Sequence, residues 1–232
     1  DVCRAYQLPC ISGKDSMKND VILNGKKISV PPTLLFTLLG NHEDVRKAVS
    51  SDFKNGGDII YLLGQTHQEL GASELVTMFR DECGGGIGGR VPAIDTTRNL
   101  ALYRNLTAAM RQELVVSAHD CSDGGFAVAL AEACFGADAG CTVDISEIFN
   151  DNNELDKWGA LFGESLGRIL VSVKAERSAE FEAAMSNNAC FRLGEVGIGD
   201  EISISISSET ILQTSMSALK QSWQATLDGG GA

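Results

Sequence analysis

Two adjacent glycines, Gly124 and Gly125, divide the stretch that most constrains this chain. Before them an apolar run at 114–118 gives way to polar residues, and after them comes a segment rich in Ala, Val and Leu, which favour helix. That order reads as strand, tight turn and helix, a building unit of layered α/β folds. The glycines let the backbone approach a ligand closely, and the amides opening the new helix would face it. Asp120 and Asp123 sit in the same loop and offer hard carboxylate oxygens suited to Mg²⁺ beside a phosphate. The same acids would equally serve as helix caps. Residues and spacing alone leave the cap and the phosphate–metal site equally open.

Composition narrows the partners. A formal charge of −12 argues against non-specific binding to nucleic acid or to an anionic membrane, since both need clustered Lys and Arg. It does not exclude nucleotides, because backbone amides and Mg²⁺ can carry phosphates locally. No apolar run approaches the roughly 20 residues of a membrane span, and no signal-peptide pattern opens the chain. Seven cysteines, an odd number without a C-x-x-C pair, argue against both a disulfide framework and a zinc site. The expectation is a soluble cytoplasmic protein with reduced, mostly buried thiols. At 232 residues, roughly 70% of the unfolded surface can be buried, enough for one large domain or two small ones.

Along the chain, residues 1–8 read as the last turns of a helix, and the abrupt start reads as an excised piece of a larger protein. Residues 33–39 form a continuous apolar run, read as a buried strand. Asn41 is placed to cap a helix that carries Val45, Ala48, Val49 and Phe53 on one face. Asn55-Gly56-Gly57 marks a domain boundary. Beyond it a strand is expected at 58–63 and helices at 68–81 and from Asp95 onward, the latter with Leu102, Leu106 and Ala109 inward. After the 124–125 turn come strands at 141–145 and 168–173 and a polar loop at 150–154. A helix at 175–187, an alternating strand through Ile202, Ile204 and Ile206, and a closing helix at 210–227 complete the reading. Strands and helices alternate, though not strictly, so α/β and α+β both fit: a mixed β-sheet with flanking helices.

Other candidate motifs are weaker. Residues 84–89 satisfy G-x-G-x-x-G, but Arg90-Val91-Pro92 follows where a helix should, so a flexible loop is the better reading. Ser12 to Ser16 places Lys14 beside Gly13 and two hydroxyls, where the ammonium could hold a phosphate as a point charge; a solvated turn explains the composition as well. Glu164, Ser165 and Arg168 form a turn before an apolar strand, which could bind a hydroxylated sugar phosphate or be tied by a local ion pair. His119, His42 and His67 read as structural or capping residues.

Four motifs taken together resemble one family. Ile-Ser-Gly-Lys-Asp-Ser-Met at 11–17, Gly-Asp-Ile-Ile-Tyr-Leu-Leu-Gly at 57–64, His-Asp-Cys-Ser-Asp-Gly-Gly at 119–125 and Leu-Phe-Gly-Glu-Ser-Leu-Gly-Arg at 161–168 come in one order. In that order they are similar to the second half of the synthetase portion of the phosphoribosylformylglycinamidine synthases. The resemblance spans nearly the whole chain. It implies residues 1–55 as the end of an ATP-binding, AIR synthase N-terminal-like domain. Residues 56–215 would then be an AIR synthase C-terminal-like domain, and 216–232 a terminal helix and tail. It implies an ATP-dependent C–N ligase of purine biosynthesis: formylglycinamide ribonucleotide, ATP and glutamine-derived ammonia give the amidine. ATP or ADP and Mg²⁺ are the implied cofactors. The implied partners are the N-terminal half of the same synthetase and a glutaminase domain or subunit.

By the same resemblance Gly13, Lys14, Ser122, Gly124 and Gly125 would contact nucleotide, Ser16, Glu164 and Ser165 the substrate, and Asp120 the metal. Lys14 departs from the Mg²⁺-binding asparagine of the shorter family members, which puts metal ligation there in doubt. The catalytic histidine belongs to the family's first half, so no catalytic residue is assigned here and the chain by itself is expected to be inactive. Two other readings remain open. The chain could be a non-catalytic, auxiliary nucleotide-binding and scaffolding piece. It could also belong to another enzyme of the wider superfamily, of the aminoimidazole ribonucleotide synthetase or selenophosphate synthetase type.

Overall fold

The computed structural model describes residues 1–14, 20–30, 33–149 and 154–225. Backbone contacts divide the chain into two units, Asp1–Ala48 and Val49–Ala232. The first holds a short helix, α1 (Val2–Tyr6), and a hairpin of β1 (Val21–Leu23) and β2 (Lys26–Ile28) in antiparallel register. The apolar run at 33–39 is not the buried strand that its composition suggests: Leu34, Leu35, Phe36, Leu38 and Leu39 are each at least 73% exposed. A buried strand needs both a ladder partner and a covering layer, and among the described residues of this unit only β1 and β2 pair. Nor does Asn41 open a helix. Asp44 accepts from the Arg46 amide at 3.1 Å and grips its guanidinium, capping a single 3-10 turn at Val45–Lys47.

The second unit is organised around β3 (Ile59–Leu63), five apolar residues that are all buried. Period-two alternation sends Ile60 and Leu62 into one core and Ile59, Tyr61 and Leu63 into another. A strand apolar on both faces must lie inside a sheet covered on both sides. The other strands are β4 (Ser117–Asp120), β5 (Cys141–Asp144), β6 (Ile169–Val173), β7 (Cys190–Val196), β8 (Glu201–Ile206) and β9 (Glu209–Ser215). They form one seven-stranded sheet in the order β4-β6-β3-β7-β5-β8-β9. All pairings are antiparallel except β5 with β8, so the sheet is mixed.

Helices cover both faces. The intervening helices are α2 (Glu74–Met78), α3 (Thr96–Arg111), α4 (Gly125–Ala137), α5 (Ser146–Phe149), α6 (Lys157–Phe162), α7 (Ser178–Met185) and α8 (Met216–Ala225). Leu102, Leu106 and Ala109 of α3 and Phe181 and Met185 of α7 pack on the Tyr61 face. Phe126, Ala129, Leu130 and Ala133 of α4, with Leu161 of α6 and Met216 of α8, fill the Leu62 face. Asp95 starts α3 as its sequence position predicts, accepting from the amides of Thr97 and Arg98.

Two expected elements differ, and one strand was not expected at all. The helix at 68–81 shrinks to α2, because Ala72 takes a left-handed φ of 60° and Ser73 caps the helix only at that point. The closing helix loses its first third to β9, which turns back on β8 through Ser207 and Ser208, both left-handed. The central strand β7 was not anticipated, since Arg192, Gly194 and Glu195 interrupt its apolar pattern. The polar loop expected at 150–154 falls almost wholly outside the described residues, of which only Glu154 belongs to it.

Candidate functional site

The 117–132 stretch folds as strand, turn and helix. Its strand β4 hydrogen-bonds along β6, with Ser117 and Ser172 hydroxyls 2.6 Å apart in the buried ladder. The Cys121 amide then donates to the Arg168 carbonyl at 3.0 Å, and the chain leaves the sheet. Gly124 (φ 76°) and Gly125 (φ 68°) both lie in the left-handed region, where a side chain would be strained. Gly125 also approaches α6 closely: a Cβ there would lie 2.5 Å from the Gly163 carbonyl oxygen.

Neither aspartate of the loop caps α4. Its N-cap is Gly124, with no side-chain cap from within the loop. The acceptor comes from forty residues away: Glu164 Oε1 takes the Gly124 amide at 2.9 Å and the Glu74 amide at the start of α2, also at 2.9 Å. One carboxylate thus holds the entrances of two helices. Asp120 and Asp123 are left exposed at the rim of a cavity of about 510 Å³ that Ser122, Glu164, Leu166 and Gly167 also line.

The Ser122 hydroxyl donates to Asp120 Oδ2. That bond is the main reason the Asp120 carboxyl is held below its ordinary range; partial burial opposes it, and His119 adds to the lowering. His119 lies between two acids, with Nε2 2.8 Å from Glu132 and Nδ1 3.5 Å from Asp120. Cys121 is buried, and burial pushes its thiol up to about 11, so it carries no thiolate at neutral pH.

Arg168 is the largest fully buried side chain, 1% exposed. Its guanidinium donates to the carbonyls of Gly163 and Ser165 and, at 3.3 Å, to the Thr66 hydroxyl. It pins the 163–167 turn from beneath. Ser165, equally buried, accepts from the His67 amide at 3.0 Å and donates to the His67 carbonyl. Of the residues expected to contact substrate, Ser165 is thus engaged within the fold, Glu164 is engaged but lines the cavity, and Ser16 lies outside the described residues. Gly13 and Lys14 are exposed in the first unit, in a stretch without regular structure.

A family model described as "AIR synthase related protein, C-terminal domain" matches residues 55–207. The chain belongs to this family. In fold the chain is similar to phosphoribosylformylglycinamidine synthase II from Thermotoga maritima, with TM-score 0.62 and 16% identity over 75% of this chain and 28% of that one. T. maritima PurL complexed with FGAR gives TM-score 0.66 at 15% identity, covering 75% and 30%. The same protein complexed with ATP gives 0.59 at 17%, covering 75% and 27%. The chain therefore spans less than a third of the length of these relatives.

In this AIR synthase-related domain, the implied Mg²⁺ can be tested against the donors present. Among the described residues no group of three or more His, Cys, Asp or Glu could hold a metal ion. Asp120 offers one exposed carboxylate, with Asp123 in the same loop. That set fits an ion held mainly by phosphate oxygens and water, as Mg²⁺ often is, and not a cage made by the described residues alone. No helix among the described residues is long and apolar enough to cross a membrane. Sequence reasoning missed the tie between Glu164 and the α4 entrance and the burial of Arg168. Only the pairing of Gly-Glu-Ser with the double glycine hinted at either.

Proposed function

We propose that this chain is part of a phosphoribosylformylglycinamidine synthase, and that the Asp120–Gly125 loop holds a nucleotide phosphate. The observation that carries this reading is the division of labour at the loop. Glu164 caps α4 from a distance, so Asp120, Asp123 and Ser122 are free of that structural duty and line the cavity instead. Asp120 would hold Mg²⁺, which neutralises charge on the phosphates. Ser122 fixes the Asp120 carboxylate in its ionised form, while the Gly124 and Gly125 amides are engaged by Glu164 and by the Ser122 carbonyl, so the exposed Asp120, Ser122 and Asp123 would be the groups that meet the metal and phosphate. Glu164 keeps the loop in register with the 163–167 turn.

The parent reaction would be ATP-dependent amidation. ATP phosphorylates the amide oxygen of formylglycinamide ribonucleotide, and ammonia then displaces phosphate to form the amidine. Residues 1–55 would be the end of an N-terminal-like domain that brings Gly13, Lys14 and Ser16 toward nucleotide and substrate, in a cytoplasmic enzyme served by a glutaminase. Within this chain the role would be auxiliary nucleotide binding and scaffolding. What favours that role is the single carboxylate pair at Asp120 and Asp123, which among the described residues offers too few donors for a complete metal site. The test is an amidation assay with ammonia, run on the purified chain and on the full synthetase. Turnover by the chain alone would overturn the auxiliary role, and absence of turnover in the full protein would overturn the assignment to this synthase.

A further inference from the structure

Beside the acidic cavity lies a second one of about 410 Å³, and Leu166 lines both. Its walls are formed by the first turns of α3, the Gly64–His67 segment after β3, and the 187–189 turn before β7. No carboxylate lines it. Its only Lys or Arg is Arg98, which pairs with Asp95 at 3.3 Å. The amides that open α3 are already taken, since Asp95 Oδ1 accepts from Thr97 and Arg98 at 3.1 and 3.0 Å. The cavity is therefore not built for a phosphate. Its polar lining is Gln65, His67, Thr97, Asn99, Asn187 and Asn188, the last already bonded to the Met185 carbonyl, against the apolar sides of Leu102 and Leu166.

Asn99 decides the reading. It is 9% exposed, its backbone amide goes to the Asp95 carbonyl, and its side-chain amide makes no hydrogen bond with any described residue. Its amide atoms are not among the buried side-chain atoms left without a partner, so the amide opens onto the cavity and is available to whatever fills it. The backbone makes room for it: Gly167 is left-handed (φ 84°), and a Cβ there would lie 2.5 Å from the Asn99 amide atoms. A side chain is absent at 167 where the amide needs space.

We propose that this cavity binds a small neutral heterocycle carrying a lactam, a ring carbonyl beside a ring N–H. A lactam edge presents one acceptor and one donor side by side. The Asn99 side chain presents the complementary donor and acceptor, as asparagine does when it reads a base edge. The volume lies within the roughly 300–1,000 Å³ of small-molecule pockets. A carboxamide amino acid carries the same polar edge but adds an ammonium and a carboxylate. The first finds no lining carboxylate here, and the second only an arginine already paired.

The test uses hypoxanthine and uracil as lactam probes and purine, which lacks the carbonyl, as the control, each titrated into the chain by ligand-observed NMR and calorimetry. Saturable binding of either lactam, with purine at least tenfold weaker, is expected. Asn99→Leu should weaken lactam binding at least tenfold while leaving the unfolding midpoint unchanged or raised. Asn99→Asp, which keeps the shape but turns the donor into an acceptor, should weaken it as much. Failure of both lactams to saturate the wild type, or lactam affinity within twofold of wild type in Asn99→Leu, overturns the proposal. If the Leu variant does not fold, unchanged affinity in Asn99→Asp overturns it by itself. The readout involves neither ATP nor amidation, so it stands or falls separately from the nucleotide reading.

Discussion

Removing the Glu164 carboxylate should loosen two helix entrances at once. In Glu164→Ala the Gly124 and Glu74 amides both lose their acceptor, each now at 2.9 Å. The two losses are unequal. Glu74 is exposed, so water replaces the carboxylate there at little cost, whereas Gly124 is buried and its N–H is stranded. A stranded buried donor costs about 1–3 kcal/mol. The half-buried carboxylate is itself partly screened, which keeps the loss off the top of that range, so about 2 kcal/mol is expected. With a urea slope of about 2 kcal/mol per molar, the midpoint falls by about 1 M. Tryptophan fluorescence is the natural probe, because Trp158 and Trp223 both lie in the second unit. Glu164→Gln should recover most of the loss, since an amide oxygen can still accept from both donors. The Gly124 amide should also exchange faster with solvent in the Ala variant alone. A midpoint shift under 0.2 M in ligand-free Glu164→Ala, about a fifth of that expected, would refute the capping argument and return Glu164 to a purely ligand-contacting role.

Asp120→Asn keeps an oxygen for the Ser122 hydroxyl but removes the charge, so nucleotide content of the purified full synthetase should fall while its nucleotide-free melting temperature barely moves; equal nucleotide content in both proteins would leave the metal role unsupported. At Asp144 burial pushes the carboxyl up but is outweighed by hydrogen bonds from the Ser146 hydroxyl and amide, the Ser208 amide and the Ser205 hydroxyl, which bring it down to about 2. A depressed carboxyl stabilises the fold fully above its unfolded value of about 3.9 and loses that stabilisation as pH falls through its folded value. Thermal melts should therefore show wild type above Asp144→Asn at pH 6, with the gap closing between about pH 4 and pH 2; a gap independent of pH would contradict the assigned network. Denatured protein should titrate seven free thiols, and in the native state the exposed Cys10 and Cys83 should react first, with Cys121, Cys134 and Cys141 protected; fast labelling of those three would contradict the core.

How much could be read from the sequence follows from the range of the forces involved. Strands β3 and β6 were legible because both their faces are apolar, β5 because Cys141 and Val143 alternate with Thr142 and Asp144, and α3 because Asp95 caps it locally. The loop between β4 and α4 was legible because two adjacent glycines readily take the left-handed turn that side chains resist. The Glu164 cap was not, since nothing local marks an acceptor forty residues from its donor. Strand β9 hid inside an expected helix because Ser207-Ser208 makes a left-handed turn without the Asn or Gly that normally announces one. The apolar run at 33–39 misled for the opposite reason: its composition describes burial that its own unit does not supply.

The placement of β3 has a consequence for how such a sheet is born on a ribosome. Its two neighbours are β6, with Tyr61 opposite Val171, and β7, with Ile60 opposite Gly194. Both partners are synthesised more than a hundred residues after it. From the moment Ile59–Leu63 leaves the exit tunnel until residues 169–173 follow, the most apolar strand of the unit has two open edges, although α3 and α4, made before β6, are at hand for its two faces. At about 5–20 residues per second that wait lasts on the order of 5–20 seconds, ample time for encounters with other nascent chains. The sheet cannot be assembled piecemeal from the N-terminal side. A cell making this protein would have to shield that one short segment, and slowing translation between β3 and β6 would lengthen its exposure, not relieve it.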